Sequence, residues 1–182
     1  MKIKFVIILI ASCVLLSFSC LSTKVEHLDK NGFDNLYKVN EILYRSEQPS
    51  EEGFKVILDL GIKTVINFRQ LQTDKPNSKI EDLKLIHQPI NTWKISYEDV
   101  LLALKTISVS DKPVLIHCKH GSDRTGCVIA AYRMVYEGWS KEEAINEFLE
   151  DKYGYHQSWF PNILELLQML NVEQLKLDLK LG

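Results

Sequence analysis

The chain has 182 residues, 46% hydrophobic and 25% charged, with 22 basic and 24 acidic side chains and a net charge of −2. A chain of this length buries a core as one domain without disulfide or metal staples, and this composition excludes the disordered and fibrous classes. The slightly acidic balance excludes a general attraction for nucleic acid, so any anion site has to be local.

Residues 1–20, MKIKFVIILIASCVLLSFSC, join two lysines, an uncharged run from Phe5 to Ser19 and a cysteine among small residues. That is the pattern of an export signal, and it is set aside from the fold. Ending on Cys20, it matches a bacterial lipoprotein signal, in which the cysteine receives the lipid. Cys13, in IASC, is the other such cysteine. An uncleaved anchor and plain secretion are the alternatives, the apolar run being short for a membrane span. The expectation is an exported protein of the bacterial cell envelope, lipid-anchored at Cys20 and touching the membrane through that anchor alone. Without residues 1–19, 20 basic residues face 24 acidic ones.

Residues 21–35 are polar and aperiodic and read as a tether, with the folded domain spanning 36–182. NLYKVNEILYRSEQPS alternates around Asn40 and predicts a hairpin ended by Pro49. PSEEGFKVILDLG predicts a short helix capped by Ser50 and stopped at Gly61. KTVINFR and LKLIHQPI predict strands separated by the polar loop QLQTDKPNSK, and SYEDVLLALKTIS has helical spacing at Val100, Leu101, Leu104 and Ile107. KPVLIHC is a further strand, TGCVIAAYRMVYEG an apolar helix ended by Gly138, and SKEEAINEFLEDKYG opens on a capping box from Ser140 to Glu143. PNILELLQML places Pro161 in the first turn of a last helix. The tail NVEQLKLDLKLG alternates and fits a strand, a fraying helix or neither. Alternating strand and helix signals predict a single α/β domain, a central sheet flanked by helices. In such sheets ligands bind at the carboxyl ends of strands, beside helix starts.

HCKHGSDRTG, residues 117–126, falls at such a place. A strand-to-helix turn points backbone N–H groups inward and adds the positive end of the helix dipole, so the stretch from Lys119 through His120, Gly121 and Ser122 to Thr125 and Gly126 can cradle a phosphate. Gly121 and Gly126 are read as allowing tight curvature. Arg124 offers a planar fork for two phosphate oxygens. Cys118, at the bottom of the cup, would be favoured as thiolate by the dipoles and the arginine, a nucleophile facing phosphorus. Attack on a monoester would give a cysteinyl phosphate that water then hydrolyses, with no metal or cofactor. Thr125 could stabilise the departing thiolate, and His117 could orient Cys118 from behind.

The matched set His117, Cys118, Arg124, Thr125 and Gly126 resembles the signature of the cysteine-dependent phosphatases. LYRSEQPSEEGFKVILDLGIKTVINFR resembles the opening of their compact, dual-specificity-like bacterial members, and AAYRMVYEGWSKEEAINE the helices after the loop. The resemblance spans about residues 36–160 and implies a cysteine-phosphatase fold acting on phosphotyrosine-type proteins. Inositol phosphates or phosphoinositides are the alternative substrates, suggested by Lys119, His120 and Asp123, and a non-catalytic phosphate-binding module is the alternative of another class.

One departure stands out. The family protonates its leaving oxygen with an aspartate on a loop before the cysteine, and the matching stretch HQPINTWKISYED has Asn91, Thr92 and Trp93 there. Asp123 and Asp99 are the candidate acids, Asp123 preferred because a carboxylate beside a dianionic phosphate holds its proton more tightly. Asp123 could equally brace the loop through backbone N–H groups.

His117, Cys118 and His120 make a poor zinc set without a second cluster. Cys127 is read as a packing residue, or less readily as a redox partner. Arg45 and Arg69 end candidate strands, where each could meet an anion or a carboxylate, while Trp93, Trp159 and the YGYH stretch could line a mouth or simply pack.

Overall fold

The computed structural model describes residues 25–76 and 82–181. The signal and both its cysteines lie outside the described residues. No helix among those described is long and apolar enough to cross a membrane.

Among the described residues six strands form one sheet: β1 (Glu26–His27), β2 (Tyr37–Asn40), β3 (Leu43–Ser46), β4 (Thr64–Asn67), β5 (Lys84–His87) and β6 (Val114–His117), in the order β1-β2-β3-β6-β4-β5. β1, β2 and β3 run antiparallel, whereas β3, β6, β4 and β5 are mutually parallel. β6 lies between β3 and β4, and all four residues of each of these three strands are buried. Covered on both faces, such strands read as unbroken apolar runs rather than alternating ones.

Alternation along β6 divides the core. Val114 and Ile116 join the larger cluster with α2 (Tyr97–Val109), α3 (Asp123–Tyr136), α5 (Pro161–Met169) and α6 (Val172–Asp178), while Leu115 faces Phe54 and Ile57 of α1 (Glu51–Asp59). α3 is buried almost all round, as expected of a helix without a polar face. Its Arg133 is fully buried and forms two 3.0 Å bonds to Glu147 of α4 (Lys141–Phe148), with Glu137 also on the guanidinium.

Local signals and structure agree in detail. Ser50 accepts from the Gly53 N–H at 3.1 Å, and Gly61, at φ +70°, follows α1. Both halves of the Ser140–Glu143 capping box form. The tail resolves as a helix because Val172, Leu175 and Leu179 share helical spacing and pack on the core, leaving Leu177 exposed.

The stretch read as a tether differs. β1 pairs with β2, Phe33 packs with Phe54 and Ile57, and Asn35 reaches the phosphate loop, so residues 26–35 pack onto the domain. Two aromatic or aliphatic anchors, Phe33 and Leu36, suffice to dock a segment that shows no periodicity.

Candidate active site

The loop from Cys118 to Ser122 joins the carboxyl end of β6 to the first turn of α3. Three consecutive carbonyls on it are held from outside. The Gln48 N–H donates to Lys119 O at 3.2 Å, Asn35 Nδ2 to His120 O at 2.7 Å, and Arg45 Nη2 to Gly121 O at 2.8 Å. In a trans peptide the N–H opposes its C=O, so the amides of His120, Gly121 and Ser122 are turned toward the other side, the inside of the loop. The first-turn amides of α3 add donors with no intrahelical partner.

Gly121 is required twice over. Its φ is +73°, and a Cβ there would stand 2.6 Å from the backbone carbon and oxygen of Ser46. Gly121→Ala is expected to destabilise the protein by about 1–3 kcal/mol, read as a lower urea midpoint. An unchanged midpoint would mean the loop does not press on β3. Gly126 serves otherwise than the curvature read from sequence. It lies inside α3, and a Cβ would come 2.8 Å from the Phe148 ring, so its smallness lets α4 approach.

Cys118 is fully buried and a free thiol. Behind it, the His117 ring meets Cys118 O at 3.1 Å through Nδ1 and Asp74 Oδ2 at 2.9 Å through Nε2. Asp74 also accepts from Gln48 and Asn67. Burial alone would raise the Asp74 carboxyl, but the bonds and charge of His117, with the bonds from Gln48 and Asn67, hold it below its ordinary value. Asp74, from the polar loop after β4, is the residue that sequence reasoning missed. Its signal is topological: β4 pairs beside β6 with Asn67 opposite His117, so the chain leaving β4 starts next to that histidine.

Arg124 Nη1 donates to Phe68 O at 3.3 Å, while its buried Nε and the buried Thr125 hydroxyl have no hydrogen-bond partner among the described residues. Unsatisfied buried donors at a helix start are suited to an anion. Arg45, fully buried, lies with its guanidinium carbon 4.1 Å from the Tyr153 ring centre. Burial lowers its pKa, against smaller upward pulls led by Tyr153 and Glu147. It grips the loop from beneath, through Gly121. Arg69 stands on the rim, bonded to Gln48.

Two openings share Lys119 and Arg124. One, of about 440 Å³, is further lined by His120, Asp123, His156, Trp159 and Phe160. The other, of about 310 Å³, is lined by Arg69 and residues 70–72. Trp93 pairs edge-on with Phe160 at 4.8 Å, bringing the stretch before α2 to the wall of the first opening.

The acids separate. Asp99 is bound to Ser96 in the capping box of α2, which commits its carboxylate. Asn91 accepts from the Trp93 N–H as a local cap. Asp123 lines the larger opening, and His156 holds its carboxylate with a backbone N–H at 3.0 Å and ring Nδ1 at 3.1 Å. Ser122 is buried, with its hydroxyl on His120 O. Cys127 is fully buried in the larger core cluster, and burial pushes its thiol up to about 12.

The family model described as "DSP-PTPase phosphatase fused to NAD+ Kinase" matches residues 22–158. The dual specificity protein phosphatase TpbA of Pseudomonas aeruginosa (strain UCBPP-PA14) is 32% identical over 122 residues, covering 66% of this chain and 56% of TpbA. The inositol diphosphatase DSP2 of Oryza sativa subsp. japonica is 30% identical over 123 residues, covering 63% of this chain and 60% of that protein. The chain thus spans little more than half the length of these relatives. The crystal structure of P. aeruginosa TpbA in complex with pTyr superposes with a TM-score of 0.77 at 27% identity, covering 87% of this chain and 96% of that one. The chain belongs to the DSP-PTPase family of cysteine-dependent phosphatases.

Proposed function

We propose that the protein hydrolyses phosphate monoesters through a cysteinyl-phosphate intermediate on Cys118, with phosphotyrosine-type proteins as substrates. The observation that carries this reading is the outward anchoring of the Lys119, His120 and Gly121 carbonyls, which leaves a cup of inward N–H groups over a buried thiol beside Arg124. The relative TpbA, with its pTyr complex, supports the substrate class.

In this reading the loop amides and Arg124 hold the three non-bridging oxygens, and Cys118 displaces the leaving oxygen in line. Thr125 donates to the sulfur as it departs, and the Asp74–His117 pair keeps the cysteine's backbone in place. Water then releases phosphate. The residues supply all of this without a metal or cofactor.

The leaving oxygen takes its proton from the Asp123–His156 pair, which borders the same opening as Arg124. An alkyl leaving group needs that proton far more than an activated phenol does. Asp123→Asn is therefore expected to slow alkyl phosphate turnover by about 10²-fold or more while sparing nitrophenyl phosphate. Equal losses on both substrates would assign Asp123 to bracing the loop instead.

A second substrate reading has its own support. The opening lined by Arg69, Lys119 and Arg124 offers cations for a further phosphate, and inositol diphosphatases are among the relatives. Steady-state comparison of a phosphotyrosine peptide with inositol polyphosphates, in chelator and reductant, separates the two. Higher kcat/KM on the peptide is expected, and the reverse order would transfer the assignment.

We also propose, from the signal pattern, export to the bacterial envelope and lipidation of Cys20. Radiolabelled palmitate should enter the expressed protein and be lost in Cys20→Ala. Unchanged labelling, or none in either, would remove the anchor.

A further inference from the structure

His120, Asp123 and His156 come from the phosphate loop, the first turn of α3 and the segment after Gly154, and the fold brings them together at one edge of the larger opening. One ligand atom from each lies within 4.8 Å of the other two, and among the described residues no other group of three does so. The two imidazole rings stand 5.2 Å apart centre to centre. His156 Nδ1 is 3.1 Å from both Asp123 oxygens. Around tetrahedral zinc, with Zn–N near 2.0–2.1 Å, neighbouring ligand atoms are separated by about 3.3 Å. The Asp123–His156 pair is already near that spacing, and the exposed His120 offers a ligand atom within 4.8 Å of both.

We propose that His120, Asp123 and His156 form a binding site for a divalent transition metal such as Zn²⁺ at the mouth of the opening. The proposal goes beyond the phosphatase reading: metal binding does not depend on it, while the inhibition that binding would cause rests on it. Two imidazoles and one carboxylate are a borderline donor set, suited to zinc and its neighbours rather than to magnesium or calcium. The ring nitrogens have to be unprotonated to coordinate. The Asp123 carboxylate is buried, and the His156 N–H fixes one of its oxygens, so one ligand is oriented in advance. Protein would fill three positions and leave a fourth open, beside the opening that Lys119 and Arg124 also line. A metal there would replace the contact between the Asp123 carboxylate and His156 Nδ1 and stand in the path of the substrate, giving reversible inhibition.

The thiol of Cys118 can also bind zinc, so the test uses the full chain carrying Cys118→Ser. Titration calorimetry with Zn²⁺ alone should give one equivalent bound. Its affinity should fall at least tenfold in His120→Ala and again in His156→Ala, each made in the same background, with melting curves recorded beside them. His120 is exposed and near the rim, so His120→Ala decides the matter even where His156→Ala loosens its segment. Absence of stoichiometric binding in Cys118→Ser, or unchanged affinity in His120→Ala, would overturn the site.

Discussion

Cys118→Ser is expected to lower turnover of an aryl phosphate by about 10⁴-fold or more, with phosphate binding and the melting curve unchanged. The sulfur forms the bond to phosphorus in the proposed mechanism, and a hydroxyl in its place has no base to activate it. Serine is also slightly smaller, so the buried position under the loop tolerates it and the loss is one of chemistry. Residual activity within tenfold of the parent would assign the nucleophile elsewhere. Loss of phosphate binding together with turnover would mean that the substitution had disturbed the cup.

Arg124→Ala is expected to cost about 10³-fold in kcat/KM and, unlike the serine variant, to weaken phosphate binding as well. Its guanidinium is tied to Phe68 O on one side and has an unpartnered buried Nε on the other, an arrangement that leaves donors for two anion oxygens. Arg124→Lys should recover little, because an ammonium supplies charge without the fork. A lysine variant within a few-fold of the parent would show that charge alone suffices and that the planar geometry contributes nothing. The two substitutions also separate an enzyme from a phosphate-binding module. In a module Arg124→Ala would weaken binding as here, but the parent protein would show no turnover for Cys118→Ser to remove.

The parts of this site that could be read from sequence are those written locally. The strand, loop and helix from Lys112 to Gly138 follow from an apolar run, a glycine and a helix stop, and the capping boxes and the Ser50 cap follow from spacing alone. The hairpin at Asn40 was legible, but its second strand is buried along its whole length, which places Arg45 under the loop rather than on an anion. A strand read as alternating gave no hint of that burial.

What escaped the sequence depends on contacts between distant segments. Asp74 meets His117 across forty-three positions, and His156 meets Asp123 across thirty-three. Neither lies in a motif, and nothing in QLQTDKPNSK or YGYH distinguishes a buried partner from a solvated loop residue. Gly126 shows the same limit in reverse. Its place in the motif suggested backbone curvature, whereas its role is set by Phe148 on another helix. Phe33 and Asn35 likewise turn a polar stretch into part of the domain through one ring and one amide.

A covalent phosphate on Cys118 is detected most directly by rapid acid quench of the protein with excess aryl phosphate, followed by mass spectrometry of the peptide carrying residues 113–124. A single phosphoryl group is expected on Cys118 within the first turnover, absent in Cys118→Ser and accumulating in a variant slowed at the hydrolysis step. A phosphoryl group on His120 or another side chain, or steady turnover with no covalent phosphate at any time point, would contradict the cysteinyl-phosphate mechanism.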